Sequence, residues 1–232
     1  MADVKQLDVF AQQRRNMVAV QLRRRGIHDE RVLAAMERVP RHEFIATEFW
    51  SRAYDDDPLP IGEGQTVSQP YIVAAMLQAL EIAPEQRVLE VGTGTGYQAA
   101  LLSELTRTVF TIERQPLLAN TAQRILSRLG YSNVTVINGD GTQGWLEAAP
   151  YHRIIVAAAA PRIPTSLLEQ LADEGSMILP VGSAVLQDLV LVRRVAGKHI
   201  TAHLEGCRFV PLIGAEGFAV DPPNPEFPHP ER

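Results

Sequence analysis

Val88-Leu-Glu-Val-Gly92-Thr-Gly94-Thr-Gly96-Tyr-Gln-Ala99 decides how the rest of the chain is read. A short apolar run enters three glycines and leaves into a segment of helical spacing, the pattern of a buried strand, a tight turn and a helix. Glycine lets the backbone turn left-handed and lets a ligand approach without meeting a Cβ, while a helix N-terminus offers unpaired N–H groups. Outward from this turn, short apolar runs alternate with amphipathic segments. Strands are expected over 87–91, 108–113, 134–138, 153–158 and 177–180, with helices over 97–105, 116–129 and 165–171. Such alternation implies right-handed crossovers and a parallel sheet covered on both faces. Two further apolar runs, 186–195 and 199–204, are separated only by Ala196-Gly197-Lys198 and predict an antiparallel hairpin at the end of the sheet.

The turns of this sheet point to a nucleoside. Glu113 ends the second strand, 21 residues beyond Gly92, where a carboxylate can accept hydrogen bonds from ribose hydroxyls. Asn138-Gly139-Asp140-Gly141 ends the third strand and would set a second carboxylate and bare backbone beside an adenine. All three turns fall at the carboxyl ends of adjacent strands, where open α/β sheets bind ligands. As a bare pattern, Gly94-x-Gly96-x-x-Ala99 also satisfies the dinucleotide fingerprint. Counted from Gly92, however, the third fingerprint position is Tyr97, too bulky for close packing of helix on strand. Glu90 before the turn and the Gly-Asp-Gly of the third turn resemble instead a class I S-adenosylmethionine-dependent methyltransferase.

Composition narrows the class further. The 232 residues are 46% hydrophobic and 21% charged, with a net charge of −5, as in a soluble globular protein. The acidity argues against sequence-blind nucleic-acid binding, which needs a basic surface. The apolar run 154–160 is far shorter than the ~18 residues that mark a bilayer span. The opening MADVKQLDVFAQQRR has early acids and no apolar core, so no secretory signal is expected and the cytoplasm is the default compartment. Cys207 is the only cysteine, which excludes an intrachain disulfide and any multi-cysteine metal site.

N-terminal to the sheet, residues 5–25 read as one helix stopped by Gly26. Asp29 is placed to cap a second helix that Pro40 closes. Arg23-Arg24-Arg25 reads as a solvated helix end, and Asp55-Asp56-Asp57 as an exposed acidic turn. The polar stretch 51–70 reads as a long functional loop before a helix over 71–80. Asp221–Arg232 holds five of the sixteen prolines and reads as disordered. The organisation expected is a helical region with the loop (1–80), the cofactor core (81–195), a C-terminal strand and substrate segment (196–218) and a tail (219–232).

Segments outside the core carry a closer likeness. Val39-Pro-Arg-His-Glu-Phe44, Ile61-Gly-Glu-Gly-Gln-Thr-Val-Ser-Gln-Pro-Tyr71, the glycine turn, Ile154-Ile-Val-Ala-Ala-Ala158, Leu179-Pro-Val-Gly182 and Arg208-Phe-Val-Pro-Leu-Ile-Gly214 occur in order. Together they resemble the protein-L-isoaspartate (D-aspartate) O-methyltransferases, from about residue 10 to 218. The resemblance implies a doubly wound, Rossmann-like class I methyltransferase sheet with N-terminal helices and a C-terminal β extension. It implies S-adenosyl-L-methionine as cofactor and isoaspartyl proteins as substrate; apart from the resemblance, no metal and a monomer are expected. By position it makes Ser68 the active-site serine. Thr66, Val67 and Gln69 would close over the cofactor, and Gly92, Gly94 and Gly96 would form the first cofactor turn. Glu113 would hold the ribose, Asp140 and Gly141 the adenine, and Val210, Pro211 and Leu212 would lie along the bound peptide.

Two positions depart from the family pattern, His152 after Tyr151 and Ala157 within the fourth strand. Methylation of another acceptor by the same core, or cofactor binding without turnover, are the competing readings. Read without the resemblance, Ser68 is a cap for the helix that starts near Pro70; His42 reads as a structural histidine, and Trp50, Tyr54 and Tyr71 read equally as lining of a substrate cleft or as packing.

Overall fold

The computed structural model describes residues 4–219. The expected tail therefore lies, from residue 220 onward, outside the described residues. Helix α1 (Val4–Asn16) runs on into a π-helical turn at Met17–Leu22 and a 3-10 turn at Arg23–Arg25. Residues 5–25 are thus helical throughout but not one regular helix. The five-residue spacing of a π turn brings Met17 and Leu22, with Val18, into the core together. Gly26 ends the segment at φ +95°. Asp29 caps α2 (Glu30–Arg38) by accepting from the Arg31 and Val32 N–H groups, as its position predicts.

The stretch 51–70 is more ordered than a loop. It contains a hairpin of β1 (Leu59–Gly62) and β2 (Gln65–Val67), whose tip has Gly62, Glu63 and Gly64 all at positive φ. Its few apolar residues are spent inward, with Leu59 and Val67 buried, so the pattern was too short to read as strand. Helix α3 (Pro70–Leu80) follows.

From here the elements fall where the alternation puts them: β3 (Arg87–Val91), α4 (Tyr97–Leu105), β4 (Thr108–Glu113), α5 (Pro116–Leu129), β5 (Val134–Asn138) and β6 (Tyr151–Val156). Helix α6 (Thr165–Glu169), β7 (Leu171–Gly182), β8 (Gln187–Val195) and β9 (Lys198–Cys207) complete the sheet, in the order β5-β4-β3-β6-β7-β8-β9. Strands β3 to β7 are parallel, and β8 and β9 extend the sheet antiparallel.

Several boundaries differ from expectation, among them α6, which ends at Glu169, and β9, which runs on to Cys207. β6 starts two residues earlier, because Tyr151 is fully buried and donates its hydroxyl to the Trp145 carbonyl. β7 runs to twelve residues because β8 pairs with it over Ser176–Gly182. The β8–β9 connection is the two-residue turn Ala196-Gly197, both at positive φ, with Val195 opposite Lys198. One hydrophobic core joins the N-terminal helices to the sheet, running from Phe10 and Met36 through Leu77 and Leu101 to Phe209.

Candidate active site

The site is built at the carboxyl ends of β3, β4 and β6. Gly92 and Thr93 donate their N–H groups to the Ile112 carbonyl, which locks the turn after β3 onto β4. Gly92, Gly94 and Gly96 take φ values of +93°, +56° and +96°, left-handed angles that any Cβ would strain. Gly96 then leads directly into α4. Gly141 is required for a different reason. A Cβ there would lie 2.5 Å from Val91 Cγ1, so the third turn can reach β3 only without a side chain.

Around these turns lies a cavity of about 850 Å³, open mouth included. Its walls contain Gly92, Gly94, Glu113, Gly141, Thr66, Val67, Ser68, Val210, Pro211 and Leu212, as the sequence reading places them. A smaller hollow of about 340 Å³ adjoins it, lined by Ser68, Gln69, Arg208, Phe209 and others. Four residues belong to both walls: Thr66, Ser68, Ala157 and Val210. These four form the partition between a nucleoside-sized chamber and a second, smaller one.

Glu113 is almost completely buried in the cavity wall. Its Oε2 accepts from the Gly94 N–H at 2.8 Å and its Oε1 from the Gln115 N–H at 2.9 Å. Burial raises its pKa above the ordinary carboxylate value, and the backbone N–H groups oppose that shift. Each oxygen keeps a lone pair for a further donor. Asp140 behaves otherwise. Its Oδ1 accepts from the Thr142 N–H and hydroxyl, at 2.9 and 2.7 Å, and its Oδ2 from the Ala215 N–H at 2.8 Å. The carboxylate expected beside an adenine instead shapes the third turn and ties it to the C-terminal segment, leaving Gly141 in the wall.

Ser68 does not cap α3. Gln69 is the N-cap and makes no side-chain cap bond, while Asp56 accepts from the Tyr71 N–H at 2.8 Å. Gln69 lines the hollow and not the main cavity. His42 stacks on Phe10 at 4.1 Å and bonds the Tyr54 hydroxyl at 2.7 Å, with Trp50 edge-on, so these rings are core. Burial lowers the His42 pKa. Arg25 is not simply solvated: it pairs with Asp56 and lies 3.5 Å over the Tyr71 ring. Cys207 is half-buried, its thiol pushed up to about 12 by burial, and is inert.

Sequence reasoning missed Ile61, Gln98, Arg114, Gln115 and Ala157 in the cavity and Arg208 in the hollow. Ala157 donates its N–H to the Val91 carbonyl at 2.8 Å, which fixes the partition against β3. The other departure, His152, accepts from the Arg87 N–H at 3.0 Å outside both cavities. Beneath the first turn, fully buried Glu90 accepts from the Thr111 hydroxyl at 2.5 Å, and Thr111 bonds Thr93 at 2.6 Å. Burial pushes the Glu90 carboxyl up to about 8. No group of three or more metal-ligating side chains occurs among the described residues, and no helix among them is long and apolar enough to cross a membrane.

A glycine turn free of Cβ atoms, a buried acid on the next strand and a third turn closed by Gly141 suit a nucleoside. With this sheet, they define a class I S-adenosylmethionine-dependent methyltransferase. The family described as Protein-L-isoaspartate(D-aspartate) O-methyltransferase (PCMT) matches residues 12–217, and the chain belongs to that family. The protein-L-isoaspartate O-methyltransferase of Koribacter versatilis is 54% identical over 94% of this chain and 99% of its own. That of Syntrophus aciditrophicus is 51% identical over 92% and 99%. A solved protein-L-isoaspartate O-methyltransferase superposes with a TM-score of 0.80 at 29% identity, over 88% of this chain and 67% of the other. A Plasmodium falciparum structure described as this type of enzyme in complex with S-adenosyl-L-homocysteine gives a TM-score of 0.77 at 27% identity, covering 86% and 98%.

Proposed function

We propose that the chain transfers a methyl group from S-adenosylmethionine to the free α-carboxylate of L-isoaspartyl residues in damaged proteins, with Ser68 at the point of transfer. The observation that carries this reading is the shared partition. Ser68 belongs to both chambers, so a group bound in the hollow meets a group bound in the cavity at that residue. When bound, S-adenosylmethionine supplies a sulfonium methyl, which a carboxylate oxygen can take in line as the methyl–sulfur bond breaks.

The chain's own residues bind and orient. Gly92, Gly94 and Gly141 offer bare backbone to the cofactor from the cavity wall, Gly96 shapes the first turn by packing against Ala122 and Leu126, and Glu113 accepts from the ribose. Thr66, Val67 and Gln69 close the site around Ser68, and Val210, Pro211 and Leu212 lie along the peptide. Ser68 donates its hydroxyl to the incoming carboxylate. The walls contain neither His nor Lys, and none is needed, because an α-carboxylate of pKa about 4 arrives ionised. Alignment and exclusion of water then supply the rate.

The same reading makes the protein a monomer that acts in the cytoplasm on proteins, not on nucleic acid or at a membrane. Its net charge of −5 speaks against a polyanionic partner. Paired peptides, one isoaspartyl and one aspartyl, incubated with methyl-labelled cofactor test the proposal. Base-labile label is expected on the isoaspartyl peptide alone. Equal labelling, or none, rejects the assignment.

A further inference from the structure

The start of α3 is held in an unusual way. Pro70 is its first residue and brings no N–H, so Tyr71 carries the first helical donor. The N-cap residue, Gln69, makes no side-chain bond to it. The acceptor comes instead from fifteen residues earlier: Asp56 Oδ1 takes the Tyr71 N–H at 2.8 Å. The other Asp56 oxygen pairs with Arg25, whose guanidinium lies 3.5 Å over the Tyr71 ring. One carboxylate and one cation thus grip the same residue from two sides.

The turn that presents Asp56 is itself fastened on both flanks. Arg41, fully buried, donates to the Ala53 carbonyl at 2.9 Å and to the Asp57 carbonyl at 3.3 Å. Gln21 donates to the Tyr54 carbonyl at 2.9 Å. These bonds anchor the Asp56 turn to the N-terminal helical segment. Capping by Asp56 also relieves Ser68, one residue before the N-cap, of the task its position would suggest.

We infer that Asp56, held by Arg25, is a positioning residue that sets the Ser68 hydroxyl in the partition between the two chambers by fixing the first turn of α3. The inference rests on the role proposed for Ser68. Asp56 touches neither cavity wall and acts only through Tyr71 and the segment before it. Loss of its bond therefore loosens residues 68–71 while leaving the cofactor turns after β3, β4 and β5 as they are.

The test compares Asp56→Ala with Asp56→Asn, which keeps an acceptor for the Tyr71 N–H, alongside Ser68→Ala in the full-length protein. Asp56→Ala is expected to lower kcat on an isoaspartyl peptide about tenfold, the scale of one lost hydrogen bond to a charged group. Its Kd for S-adenosylhomocysteine should stay within about twofold, and amide exchange at Tyr71 should quicken at least about tenfold. Asp56→Asn should restore kcat to within about threefold of the parent, and Arg25→Ala should fall between the two. The inference is overturned if Asp56→Ala keeps its kcat, if the Asn variant loses as much as the Ala variant, or if the loss appears in cofactor affinity. Should Asp56→Ala fail to fold, the Asn and Arg25→Ala variants carry the same comparison. A fully active Ser68→Ala would refute the Ser68 role and this inference together, whereas an impaired Ser68→Ala beside a normal Asp56→Ala would refute the inference alone.

Discussion

Glu113 at the end of β4 accepts the Gly94 N–H at 2.8 Å, so the acid of one strand and the middle glycine of the neighbouring turn form a single unit. The carboxylate organises the glycine turn with one oxygen, while its other oxygen fixes Gln115 at the head of α5. Removing Glu113 therefore removes a ligand contact and loosens the turn at once. Glu113→Ala should weaken S-adenosylhomocysteine binding by about 10- to 150-fold, the range for hydrogen bonds to a charged group. At saturating cofactor its kcat should hold within about threefold. Isothermal titration alongside steady-state kinetics checks the division, and unchanged affinity would end Glu113's assignment to the ribose.

Ser68 should show the opposite split. On the proposed reading its hydroxyl meets the acceptor carboxylate from the partition between the two chambers. Ser68→Ala is expected to lower kcat on isoaspartyl peptide by about 10- to 100-fold while cofactor Kd moves less than about twofold. If the variant instead loses cofactor affinity with kcat intact, the serine belongs to the cofactor and not to the acceptor.

Two glycines of the third turn separate a position where a side chain has no space from one where it has. A Cβ at Gly141 meets Val91 Cγ1 at 2.5 Å, on a buried strand residue, whereas a Cβ at Gly139 meets nothing within 4 Å. Gly141→Ala should cost about 1–3 kcal/mol through overpacking. That lowers Tm by about 2–12 °C for a chain of this size. Gly139→Ala should melt within about 1 °C of the parent. Thermal unfolding of the pair decides it, and equal melting temperatures would mean that the turn relaxes away from β3.

Glu90 gives a signed dependence on pH. Its carboxyl, pushed up to about 8 by burial, keeps a proton that the unfolded chain releases near its ordinary value of 4.5. Between these values the folded state binds more protons than the unfolded one, so stability falls as pH rises through that window. Glu90→Gln has no such proton to lose. Its advantage in Tm over the parent should grow by at least about 3 °C between about pH 5 and pH 8.5, which corresponds to roughly 1 kcal/mol. Scanning calorimetry at the two pH values would show a constant difference if the carboxyl were ionised throughout.

The sheet was legible because its signals are local. Arg87–Val91, Thr108–Glu113 and Val134–Asn138 are apolar runs of strand length cut off by glycine or charge, and their turns lie next to them in sequence. The hairpin Leu59–Val67 was not legible, since only Leu59 and Val67 face inward along its two short arms. The family resemblance pointed to Ser68 and to Val210-Pro-Leu212, while residue type alone favoured a helix cap. That local reading failed because the capping acceptor comes from Asp56, a long-range choice that no spacing near Pro70 reveals. The tie from Asp140 to Ala215 was hidden for a related reason: its partner is brought up by the far end of the chain.

β9 passes straight into the acceptor wall. Phe209 donates its N–H to Gln187 on β8 at 2.9 Å, and Val210 and Leu212 are laced to Ala159 after β6 at 2.8 and 2.7 Å. The length of the terminal hairpin is therefore a ruler for where Val210 and Leu212 enter the cavity wall. Residues added at its Ala196-Gly197 tip leave the ruler untouched, but one deleted between Cys207 and Val210 shortens the span between the Gln187 and Ala159 anchors. Drift in chain length among descendants of this protein should collect at that distal tip, some twenty ångströms or more of β-strand from the chemistry, at ~3.3 Å per residue.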